Sequence, residues 1–135
     1  MAHAKFPCEV LTPEGEVFNE EIEQLSTVTA AGSIGVLAGH EPMLAMLEPA
    51  ELRLYRSDND VVRYAQAEGY MQVANGRVLI LVEEAHDPAS LDAGELRERL
   101  RRAEEELEAA GEDSEKARVA RRDKNRAEKF LALTA

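Results

Sequence analysis

Residues 51–82 read Glu51-Leu-Arg-Leu-Tyr-Arg-Ser-Asp-Asn-Asp-Val-Val-Arg-Tyr-Ala-Gln-Ala-Glu-Gly-Tyr-Met-Gln-Val-Ala-Asn-Gly-Arg-Val-Leu-Ile-Leu-Val82. Glu51 to Arg56 alternates polar and apolar, which puts Leu52 and Leu54 on one face of an extended chain. Ser57-Asp-Asn-Asp60 is a turn, and Val61 to Ala67 returns as a partner strand. Tyr70 to Val73 and Arg77 to Val82 form a second hairpin around Ala74-Asn-Gly76, because Asn and Gly both accept the positive φ that a tight hairpin turn demands. A period of two over this stretch makes the domain a β-domain.

On the N-terminal side, Phe6 to Leu11 is a short apolar-rich run closed by Thr12-Pro-Glu-Gly15, and Ile22 to Thr29 is rich in β-branched residues. Many short strands with regular turns imply a sandwich or barrel. The pattern changes at His86-Asp-Pro-Ala-Ser90. Beyond it Asp92 and Glu95 have capping-box spacing, and Leu96, Leu100, Ala103, Leu107 and Ala110 recur at helical spacing up to Gly111. Glu112, Asp113 and Ser114 supply a loop and the next cap. A second helix then runs from Ser114 to Leu133, with Ala117, Ala120, Ala127, Phe130 and Leu131 on its apolar side. The expected organisation is β + α: a β-domain over 1–88 and an antiparallel two-helix hairpin over 89–135. Burying Leu96, Leu100 and Leu107 contributes at most ~1.5–3 kcal/mol each, so the hairpin needs a surface but holds it moderately, as a two-state element does.

Charge divides along the same line. The chain of 135 residues has net charge −11; residues 1–90 carry −10, whereas 114–135 carry +4. An acidic body excludes a nucleic-acid binder that neutralises phosphates. One cysteine, Cys8, excludes an internal disulfide, and it is expected as a half-buried structural thiol. His3, His40 and His86 lie far apart and show no metal-ligand spacing, so no metal is expected. The N-terminus lacks an apolar secretory core, and no window reaches the ~18 apolar residues of a membrane span. A soluble, cytoplasmic protein is expected.

Gly32-Ser-Ile-Gly-Val-Leu-Ala-Gly-His-Glu-Pro-Met43 looks at first like a ligand loop. A P-loop ends in Gly-Lys-Ser/Thr, and here the third of its glycines precedes His40-Glu41. The spacing also fails the dinucleotide fingerprint. The segment is therefore expected as a loop with tight glycine turns. His40 beside Glu41 could act as a base pair, but no nucleophile or metal accompanies it, so no catalytic residue is assigned. Arg118-Val-Ala-Arg-Arg-Asp-Lys-Asn-Arg126 is a basic run without interleaved aromatics, better suited to an acidic protein surface than to RNA.

Gly32 to Leu44 resembles the Gly-x-Ile-Gly-[Ile/Val]-Leu-Pro-Gly-His-x-Pro-Leu-Leu segment of the epsilon subunit of F-type ATP synthase, called delta in mitochondria. Val10-Leu-Thr-Pro-Glu-Gly-Glu-Val-Phe18, Leu47-Glu-Pro-Ala-Glu-Leu-Arg-Leu54 and Glu68-Gly-Tyr-Met-Gln-Val-Ala-Asn-Gly-Arg-Val78 are similar to other parts of that family. The resemblance covers essentially the whole chain, by architecture more than by sequence beyond residue 90. It implies a ten-stranded β-sandwich followed by the hairpin. It also implies a non-catalytic rotor subunit without cofactors, bound to the gamma subunit and the c-ring, peripheral on the cytoplasmic face of the bacterial plasma membrane. Ser33 and His40 are then the polar contacts to the ring. Many members have an acidic residue at Ser33 and a proline at Ala38. When the hairpin extends, the implied partners are the alpha and beta subunits, met by the basic face of Arg118, Arg121, Arg122 and Arg126.

Two other readings compete: a free-standing β-sandwich binding module with a helical tail, and a small hydrolase using His40 and Glu41. Some bacterial members bind ATP through Ile/Leu-Asp-x-x-Arg-Ala. Asp92 matches that motif after Leu91, but Glu95 and Leu96 occupy the Arg and Ala positions. Glu for a phosphate-pairing Arg reverses the charge. Calorimetry on the isolated chain is expected to show weak or no ATP binding; sub-millimolar affinity would contradict this.

Overall fold

Alternation carries the β-unit. Strand β1 (Phe6–Thr12) buries Phe6, Cys8 and Val10, and β3 (Gln24–Thr29) buries Leu25, Thr27 and Thr29. β6 (Ala50–Ser57) buries Leu52 and Leu54, β8 (Gly69–Ala74) buries Met71 and Val73, and β9 (Arg77–Val82) buries Val78, Ile80 and Val82. These inward sets form one core. The remaining strands are β2 (Gly15–Ile22), β4 (Gly32–Leu37), β5 (Met43–Leu47), β7 (Asp60–Gln66) and β10 (Ala85–His86). The computed structural model describes residues 3–134, which fall into two units that divide between Asp87 and Pro88.

The ten strands run in the order β10-β7-β6-β3-β5-β8-β9-β1-β2, with β4 attached to β3. Ser26 pairs with both Gly35 and Arg53, and Thr29 with both Gly32 and Leu47. Strand β3 therefore has β4 along one edge, while its other edge passes from β6 to β5. That change of partner folds the sheet into a sandwich. The two ends of the path approach each other: Tyr64 Oη donates to the Val17 carbonyl at 3.0 Å, and Arg56 on β6 lies 3.3 Å from Glu20 on β2.

One expectation needs correction. The glycine-rich segment is not a single loop, because Gly32–Leu37 is a strand paired with β3 along its whole length. Its alternation is masked by glycine: Val36 is buried and Ile34 half-buried, while Ser33, Gly35 and Leu37 are exposed. Residues 15–22 also form a strand, which shows only Phe18 and Ile22 to the core and otherwise reads as polar.

Turn chemistry repeats. Thr12 Oγ1 bonds the Gly15 carbonyl and the Glu14 N–H, and Thr29 Oγ1 bonds the Gly32 carbonyl and the Ala31 N–H. Gly15 and Gly32 have φ of 127° and 123°, which side chains rarely adopt. Thr-x-x-Gly is thus one turn used twice.

In the second unit a 3₁₀ turn (Pro88–Ser90) precedes α1 (Ala93–Ala110) and α2 (Ser114–Ala132). Asp92 caps α1, accepting from Glu95 N at 3.1 Å, and Asp113 caps α2, accepting from Lys116 N at 3.0 Å. Gly111 ends α1 at φ 56°. Of the three seam leucines only Leu96 is buried; Leu100 and Leu107 are half-buried. Ala103, Ala117, Ala120, Ala127 and Phe130 are also buried, so small side chains dominate the helical unit's buried positions.

Gly69 is the least replaceable residue of the sheet. A Cβ there overlaps the Leu81 carbonyl oxygen and stands 2.7 Å from Val82 Cα, both in the backbone of β9. Gly69→Ala is expected to cost ~1–3 kcal/mol, the range for overpacking a close-packed interior. A clear fall in the urea midpoint is the readout, and an unchanged midpoint would contradict the close approach.

Candidate functional site

Ser33 and His40 are not brought together. Ser33 lies near the start of β4, exposed and paired opposite Val28; His40 lies in the turn beyond its far end. About 13 Å of extended chain separates Ser33 from Leu37 alone. His40 is half-buried and fixes its turn: its backbone N–H donates to the Leu37 carbonyl at 3.2 Å, and Nδ1 donates to the Glu41 carbonyl at 2.8 Å. The imidazole thus engages Glu41 through the main chain, which is turn chemistry rather than an acid–base pair.

The end of the sandwich that holds Ser33 is acidic. Thr29, Leu47, Gly69 and Val82 follow one another across β3, β5, β8 and β9, and Leu11 lies beside Leu81. The links at these positions contain Glu14, Glu48, Glu68, Glu83 and Glu84. The His40 turn and the Asn75-Gly76 turn lie at the opposite end.

The outer face of β5, β8, β9 and β1 presents an apolar row. Met46 pairs with Tyr70, Tyr70 with Leu81, and Leu81 with Leu11. Leu44 and Leu79 stand in the next row. Leu44, Met46, Tyr70 and Leu81 are 72%, 60%, 51% and 44% exposed. Scattered surface leucines are ordinary, whereas these four are contiguous across neighbouring strands. The sequence carried a signal for it: Met43-Leu-Ala-Met-Leu47 and Val78-Leu-Ile-Leu-Val82 are apolar at both parities, more than one core face takes.

In the helical unit, Arg118, Arg121 and Arg122 share an exposed side of α2 and line a shallow depression with Lys124, Asn125 and Glu128. Arg118 pairs with Glu115 at 2.7 Å, holding that carboxyl below its usual range, and Arg122 pairs with Asp123 at 3.0 Å. Arg126, one turn beyond Arg122, is half-buried. Asp92 spends a carboxylate oxygen on the α1 cap. Cys8 is 1% exposed, and burial, aided by Glu9, pushes its thiol up to about 12, so it is a core side chain and no nucleophile.

Residues 5–88 match the family model described as ATP synthase, Delta/Epsilon chain, beta-sandwich domain. The ATP synthase epsilon chain of Persephonella marina is 38% identical over 110 residues, covering 82% of this chain and 78% of that one. The chain belongs to the ATP synthase delta/epsilon family. An epsilon chain of Syntrophotalea carbinolica is likewise 38% identical, over 103 residues, covering 76% of this chain and 74% of its own. The fold recurs in a chain of the Euglena gracilis mitochondrial ATP synthase, with TM-score 0.81 and 22% identity, over 98% of this chain and 82% of that one.

Family membership makes the chain a component of ATP synthase other than its catalytic subunit. Among the described residues, no helix is long and apolar enough to cross a membrane.

Proposed function

We propose that this chain is a non-catalytic central-stalk rotor subunit of an F-type ATP synthase, which links gamma to the c-ring and so couples proton flow to ATP synthesis. The observation that carries this reading is the exposed Met46-Tyr70-Leu81-Leu11 row on the sandwich of a family member. It supplies an apolar face for gamma. The solved chains that share the fold come from assemblies described as F1/c-ring and central stalk/c-ring. On this reading the chain sits peripherally on the cytoplasmic face of the bacterial plasma membrane.

Ser33 belongs with the ring-facing end. The family resemblance implies an acid at this position, and in this chain Glu14, Glu68 and Glu83 border the same end. These carboxylates take over the charge that Ser33 lacks. His40, at the other end, supports the turn rather than the ring contact. The hairpin restrains ATP hydrolysis by presenting Arg118, Arg121 and Arg122 to an acidic surface on beta, and Arg126 contributes less because it is half-buried.

Two outcomes check this. Tyr70→Asp with Met46→Asp is expected to leave the sandwich folded, because both side chains point outward, and to weaken co-purification with gamma at least about tenfold. Retention of gamma by the variant would place the gamma contact off this row, and an unsubstituted chain that does not co-purify with gamma would favour the free-standing binding module. Deleting residues 89–135 is expected to raise ATP hydrolysis by the assembled complex and leave assembly intact; unchanged hydrolysis removes the inhibitory role.

A further inference from the structure

The sheet has three strands with a free edge, and they differ in protection. β10 is two residues long. β2 carries Glu16, Glu20 and Glu21, and its pairing is broken by a bulge opposite Val10 and Leu11. Shortness, charge and bulging are the usual means by which a sheet edge avoids recruiting another strand. β4 has none of them. Gly32-Ser-Ile-Gly-Val-Leu37 contains no charge and no proline, and its register with β3 is unbroken over all six residues. Among the described residues its ladder partner is β3 alone, and the Leu37 carbonyl is turned back to the His40 N–H. Leu37 is 47% exposed.

We propose that the free edge of β4 takes an added strand from a partner protein, an extended segment of neutral or basic character. Backbone groups along an unpaired edge are satisfied best by another backbone, and the exposed side chains of Ser33 and Leu37, with open space at Gly35 between them, then set which segment fits. Charge selects the occupant. Residues 1–90 carry net −10, so edge-to-edge pairing of two copies brings two acidic bodies together, whereas a neutral or basic segment meets no such repulsion. The edge is continuous with the docking surface already described: Ser33 on β4 lies opposite Val28 on β3, and the Ala30 N–H beside it bonds the Met46 carbonyl at 2.9 Å. A partner seated on the apolar row can reach β4 without leaving the protein. The inference rests on the assembly reading above and adds a backbone contact to it.

Amide hydrogen exchange over residues 32–37, compared between the free chain and the purified complex, tests the proposal. Exchange is expected to slow by about tenfold or more in the complex. Gly35→Lys puts a charge on the edge at a position where a Cβ meets only open space and the Leu25 carbonyl at 3.9 Å; it is expected to abolish the added protection, while Gly35→Ala keeps it. A complex that assembles with 32–37 exchanging as in the free chain overturns the edge proposal and leaves the assembly reading standing. Failure to assemble at all overturns the assembly reading itself. Protection that appears in the free chain with rising concentration identifies a second copy as the occupant, and overturns the partner assignment.

Discussion

Strand β3 bonds three neighbours, and the sandwich depends on it. Its edge gives Gln24, Leu25 and Ser26 to β6 and Thr29 to β5, while β4 occupies the other edge throughout. Without the hand-over between Ser26 and Thr29, β6 and β7 have no connection to β5, β8, β9 and β1 through the sheet. The Thr29 side chain reinforces the joint by fixing the turn into β4, and Gln66 reaches across to donate to the Glu48 carbonyl at 2.9 Å. Both side chains are buried, where a hydrogen bond is worth most and its absence costs most.

That constraint also creates the outward apolar row proposed to meet gamma. Once β5 is held beside β3 and β8, its inward residues are fixed, and Leu44 and Met46 have nowhere to go but out. The same holds for Tyr70 and Leu81. A core of this size accepts one face of each strand, so apolar residues on the other face mark contact with something else. The hairpin follows a different economy. Alanines at 103, 117, 120 and 127 bury little area each, which suits an element that changes partners.

Much of this was legible in the residues. Asn75-Gly76 announced the β8–β9 hairpin, the Leu52 and Leu54 alternation announced β6, and Asp92 and Gly111 bounded α1 at both ends. These signals are local, because each rests on the φ, ψ or face of a few adjacent residues. Strands β2 and β4 were harder to see. β2 is an edge with two buried residues, and the alternation of β4 runs through glycines that show no side chain. The family segment Gly32 to Leu44 was recognisable, but it is not the single loop on which Ser33 and His40 were both expected. Six residues of it are strand, and extended chain holds the two apart.

The sequence by itself determined the two-part organisation, the turns, the helix caps and the family, since periodicity and turn chemistry act over fewer than about ten residues. Only the tertiary structure decided which strands are neighbours. Adjacency joins Leu11, Met46, Tyr70 and Leu81, which lie up to seventy residues apart in the chain, into one row. It also left β4 as an unprotected edge. Both follow from pairing between distant segments, which no local pattern encodes.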